Sequence, residues 1–151
     1  MTQNPGLGEL LRHLGELVDT GAAARYRQIG LDWRPRYTPV LRAMLAGATT
    51  VTEVTQHSRL TQGAVSQTVA LMIADGLLTR EGVDDGRKSA LHLTVRGADL
   101  VAALEAHWQH TFTAIATLEA DCGHPLRQAL VAAIDALHRK GFAERLAEAG
   151  A

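Results

Sequence analysis

Gln62, Gly63, Ser66 and Gln67 recur at spacings of one and four, so a helix through them would carry all four on one face. Such short or uncharged groups can enter a major groove: glutamine pairs bidentately with adenine, and serine bonds in either role. Thr61 just before them, together with Gly63, is placed to offer backbone amides to a phosphate at the helix start. Arg80, Arg87 and Lys88 follow as candidate contacts to phosphates or a minor groove. An ordinary polar helix surface would look the same over these four positions. The elements around them must therefore decide.

Those elements are legible. Thr50 and Glu53 form a T-x-x-E capping box before Val51 and Val54, which predicts a first helix running to about His57. Ser58, Arg59 and Leu60 make a turn. Thr61 caps a second helix, on which Val65, Val69, Met72 and Ile73 recur at spacings of three and four and face inward. Gly76 ends it. Residues 77–82 and 90–94 then alternate as strands around the turn 84–88, with Leu91 and Leu93 toward the core and His92 outward. Arg87 and Lys88 fall at the tip of this hairpin, with Arg80 behind them.

LTQGAVSQTVALMIADGLLTR, then D-G-R at Asp85 to Arg87, then LHLTVRG, together resemble the winged helix of MarR-type transcriptional regulators. The motif match covers roughly residues 31–120, and the architecture extends to the whole chain. The resemblance implies a mainly α fold with a small β-hairpin wing: a winged helix-turn-helix lobe over 31–97, with dimerisation helices over 4–28 and 98–149. Such turns usually carry glycine where this chain has Arg59, and a left-handed arginine would cost about 1 kcal/mol. Thr55 stands where a small alanine is common.

The chain has 151 residues, of which 46% are hydrophobic and only 4% aromatic, which suits one mostly helical domain. Its net charge of -1 argues against a generally basic, nonspecific nucleic-acid binder. Residues 50–97 hold five basic groups (Arg59, Arg80, Arg87, Lys88, Arg96) and five acidic ones (Glu53, Asp75, Glu81, Asp84, Asp85). Any positive field must come from placement, with Asp75 turned away from DNA and Asp85 available to orient Arg87. One cysteine, Cys122, excludes an intrachain disulfide; no signal peptide or membrane span is evident, and a cytoplasmic protein is expected.

The flanks read as helices that need partners. Asn4 with Pro5 opens a helix whose stripe is Leu7, Leu10, Leu11, Leu14, Leu17 and Val18. Asp32 is a candidate cap near Trp33, and Pro39, which lacks a backbone donor, predicts a kink or a fresh helix over 39–45. Thr94 caps a long helix carrying Val101, Leu104, Trp108, Phe112, Ile115 and Leu118 near a 3.5 spacing. Gly123 stops it, Pro125 starts another with Leu126, Leu130, Ile134 and Leu137 on one face, and a short last helix includes Phe142 and Leu146. A symmetric dimer would cover these faces and present two recognition helices to a pseudo-palindromic operator.

Trp33, Tyr37, Met44 and Trp108 are candidates for an apolar pocket, where the resemblance implies a small aromatic effector; the same residues would serve as core. His107, His110 and Cys122 invite a sensing role, but no compact ligand motif supports a metal or cofactor. No phosphate loop, nucleophile elbow or acid-base pair supports an enzyme. The leading expectation is a dimeric, effector-responsive repressor that binds double-stranded DNA. The alternatives are a winged helix used for protein contact and a ligand-binding dimer without operator affinity.

Overall fold

The computed structural model describes residues 4–82 and 89–150. The chain divides into two compact units, 1–106 and 107–151.

The first unit begins with α1 (Leu7–Gln28), a single helix that runs through Gly21. Its N-cap is Gly6, whose carbonyl accepts from the Leu10 amide at 3.0 Å, so Asn4 and Pro5 lie before the helix rather than opening it. Leu7, Leu10, Leu11, Leu17 and Val18 all stand exposed on this unit. Only toward its end, at Tyr26, is the helix buried. A short 3-10 turn (Pro35–Tyr37) then leads into α2 (Thr38–Leu45), which begins where Pro39 fits the first helical turn. Asp32 caps nothing here; its carboxylate takes Arg96 Nη2 at 2.8 Å, which ties this connection to the start of a later helix.

The helix-turn-helix is α3 (Val51–His57) and α4 (Gln62–Ala74), and the hairpin pairs β1 (Leu78–Gly82) antiparallel with β2 (Ser89–Leu93). Thr50 Oγ1 accepts from the Glu53 amide at 3.2 Å as the capping box requires. The return bond reaches one residue further: Glu53 Oε2 takes the Thr49 amide at 2.7 Å and the Thr49 hydroxyl at 3.1 Å. Those bonds hold the Glu53 carboxyl below its ordinary range, with a smaller contribution from His57. The Thr49 carbonyl accepts from the Leu91 amide at 2.7 Å, so the loop before α3 also extends the hairpin.

Val40, Leu41, Val54, Val65, Val69 and Met72 form the fully buried centre, closed by Leu77, Leu78, Leu91 and Leu104. The last of these comes from α5 (Val95–Cys122). Its start is set by Thr94, whose hydroxyl accepts from the Gly97 amide at 3.0 Å and donates to the Gly76 carbonyl at 2.6 Å. Gly97 is required at that junction: a Cβ there would lie 2.3 Å from the Leu77 carbonyl oxygen.

In the second unit, α5 ends at Gly123, which has φ +73°. It is followed by α6 (Leu126–Arg139) and α7 (Phe142–Ala149). Pro125 is the N-cap of α6 rather than its first residue, and the Arg127 amide donates to Glu119 at 3.2 Å. None of the described residues of this unit is buried, and Phe112, Leu118, Val131, Leu137, Phe142 and Leu146 are exposed.

Candidate nucleic-acid interface

Thr61 is the N-cap of α4, its hydroxyl accepting from the Ala64 amide at 3.2 Å. From there the helix divides by face. Val65, Thr68, Val69 and Met72 are buried, while Gln62, Gly63, Ser66 and Gln67 are exposed, as the spacing predicts. All four candidate base readers share one open surface.

The helix is held along its length by bonds that sequence reading did not foresee. Arg36 Nη2 donates to Thr68 Oγ1 at 3.3 Å from the 3-10 turn. At the far end, Tyr37 Oη donates to Asp75 Oδ2 at 2.5 Å, and Arg34 Nε lies 3.6 Å from the same oxygen. Burial first, and then the bond to Asp75, push the Tyr37 phenol up to about 12, so it stays protonated as the donor. Asp75 is thereby committed to the lobe's own Tyr37 and Arg34. Gly76, at φ +73°, closes the helix, with the Leu77 amide donating to the Met72 carbonyl at 2.9 Å. A polar residue at the buried position Thr68, four after Ala64, was the available signal for the Arg36 bond.

The turn before α4 avoids the left-handed conformation that glycine usually supplies. Among the described residues no non-glycine residue has a positive φ, so Arg59 carries no such strain. Ser58 is extended instead, and its Oγ accepts from the Leu60 amide at 3.4 Å. Thr55 Oγ1 donates to the Val51 carbonyl at 2.8 Å, an intrahelical bond that accommodates the hydroxyl where an alanine is common.

In the hairpin, Arg80 pairs with Leu91 and Leu78 with Leu93. Arg80 therefore leaves the strand on the same face as core residues Leu78 and Leu91, yet its side chain is exposed. Glu81 and His92 share the other face, 3.5 Å apart. Arg87, Lys88 and Asp85 lie outside the described residues.

The aromatic candidates separate. Trp33 and Tyr37 meet edge to face, 5.5 Å between centroids, and Trp33 Nε1 donates to Thr38 Oγ1 at 3.1 Å. Tyr37 and Trp33 are both buried in the core, 1% and 5% exposed, and Trp33 also borders a groove of about 460 Å³ with Asp19, Arg27 and Arg34. Met44 is half-buried on α2, and Trp108 is half-buried in the second unit. His107 and His110 also meet edge to face at 5.4 Å, but among the described residues no group of three or more ligating side chains gathers. Cys122 is exposed, its sulfur 3.5 Å from the Glu119 and His124 carbonyl oxygens.

Residues 29–89 match the model of the MarR family. A search of curated proteins by sequence finds no significant match. Among solved structures, the fold is similar to the Mycobacterium tuberculosis transcriptional regulator MOSR in complex with DNA. The TM-score is 0.69 at 15% identity, covering 89% of this chain and 98% of that one. It is also similar to the Staphylococcus aureus MepR–DNA complex (TM-score 0.66, 18% identity, 89% and 99% covered). Bordetella bronchiseptica BpsR, whose DNA binding is regulated by 6-hydroxynicotinic acid, matches at TM-score 0.55 and 20% identity, covering 76% and 81%. At these identities the likeness is one of fold.

Proposed function

We propose that this chain, which carries a MarR-type winged helix-turn-helix, is a sequence-specific transcriptional regulator that binds a pseudo-palindromic operator as a homodimer, most simply as a repressor. The observation that carries the reading is the open face of α4. Its donors and acceptors at Gln62, Ser66 and Gln67 stand on a helix fastened at its start, middle and end. Thr61 and Gly63 meet the adjoining phosphate through backbone amides, and Arg80, Arg87 and Lys88 serve the wing. The arms 4–28 and 98–149 form the dimer around the 31–97 lobe, and the protein works in the cytoplasm without catalytic activity. No described helix is long and apolar enough to cross a membrane.

Regulation by a small aromatic effector near Trp33, Tyr37, Met44 and Trp108 fits this scheme, as BpsR's response to 6-hydroxynicotinic acid illustrates for that protein. The effector need only bind the non-DNA conformation better, and its differential affinity sets the size of the response. The balance of five acidic and five basic groups over 50–97 favours one second reading, a winged helix used for protein contact.

Selection of bound fragments from random duplex DNA, at two salt concentrations, separates these readings. The expected result is one motif with two half-sites about one helical turn apart. Recovery of no motif by a folded dimer would favour protein contact.

A further inference from the structure

Among the described residues, the carboxylates of the reading lobe already have partners. Glu53 is bound by Thr49, Asp75 by Tyr37, and Glu81 lies against His92. This leaves the question of where its cationic groups gather. One place is a groove of about 400 Å³ between α2 and the α3–α4 turn, lined by Pro39, Arg42, His57, Ser58, Arg59 and Leu60 with two alanines, and by no carboxylate. Arg42 lies outside the 50–97 stretch whose charges cancel, so the local excess is visible only once α2 is folded against α3.

We propose that this groove seats a phosphate of the DNA backbone at the edge of the half-site, with Arg42 supplying the charge and His57 and Arg59 beside it. The inference rests on the operator-binding reading and adds to it a contact that the α4 face and the wing do not provide. Placement supports it first. Ser58 and Leu60 immediately precede Thr61, so the groove adjoins the N-terminal end of the recognition helix. When that end is at base edges, the helix before it crosses the backbone, and the groove meets a phosphate. Chemistry supports it second. The groove combines the Arg42 guanidinium, whose donor fork matches phosphate oxygens, with a serine hydroxyl. Ser58 Oγ uses its lone pair for the Leu60 amide, and its proton remains to donate to the phosphate.

The test compares Arg42→Gln with the wild type and with the charge-conserving Arg42→Lys. Binding to the selected operator is measured over a range of salt, with far-UV circular dichroism confirming the fold. Arg42→Gln is expected to weaken binding roughly tenfold at moderate salt and to lower the salt slope by about one per protomer. The selected sequence should not change, and Arg42→Lys should recover most of the slope. Wild-type affinity and slope in Arg42→Gln, with the operator still recognised, would overturn the phosphate seat alone. A wild type that binds no duplex DNA would overturn this proposal and the operator reading together.

Discussion

At the scale of single residues, two glycines make opposite demands. Gly97 is pressed against the Leu77 carbonyl, 2.3 Å from where a Cβ would stand, so the backbone must shift to admit one. Gly97→Ala is expected to lower stability by about 1–3 kcal/mol in denaturant unfolding, the usual range for overpacking. Gly63 has no atom within 4 Å of its Cβ position and lies in the first turn of α4. There an alanine should raise stability by up to about 1 kcal/mol while weakening operator binding, because the added methyl stands between helix and DNA. Binding unchanged by Gly63→Ala would show that no close approach occurs at this point. Glu53 adds a pH dependence. Its folded pKa lies below 4.5, so it contributes stability above that pH and loses the contribution as pH falls through the folded value. Glu53→Gln should be less stable than wild type at neutral pH, and the difference should vanish in acid; a constant gap would rule out the charged cap.

At the scale of elements, the recognition helix owes its position to bonds from the 3-10 turn as much as to its apolar face. Tyr37→Phe removes the bond to Asp75 and keeps the ring against Trp33. Stability should fall by about 1–2 kcal/mol, since a bond to a charged acceptor is lost. Operator affinity should fall with it as the end of α4 loosens, and equal affinity in a destabilised variant would confine Tyr37 to the core. The caps were readable from Thr50, Thr61, Gly76 and Thr94 because each acts within a few residues of itself. Asp32, Asn4 and the partner of Glu53 were not. An aspartate able to cap is equally able to form an ion pair, and Arg96, which takes Asp32, is distant in sequence.

At the scale of the molecule, the exposed stripe of α1 is the feature that a lone chain leaves unresolved. Leu7 is 68% exposed, Leu17 60% and Val18 51%, a surface that dimerisation would bury at about 25 cal/mol per Å². Leu10→Glu combined with Leu17→Glu should therefore convert a dimer to a monomer in sedimentation velocity and abolish high-affinity operator binding. A double variant that remains dimeric at the same concentration would remove α1 from the interface.

Periodicity and capping chemistry, read from the sequence alone, determined the winged helix-turn-helix, the boundaries of α3 and α4 and the outward set Gln62, Gly63, Ser66 and Gln67. These are local properties, set by the pitch of a helix and the reach of a side chain to its own backbone. Tertiary structure alone decided that Arg36 and Tyr37 hold α4, that Gly97 meets Leu77, that Arg59 needs no left-handed turn, and that Arg42 joins His57 and Arg59. Each of these depends on segments brought together by burial of a shared core. Hydrophobic spacing specifies which face is covered, but not which polar group arrives beside it.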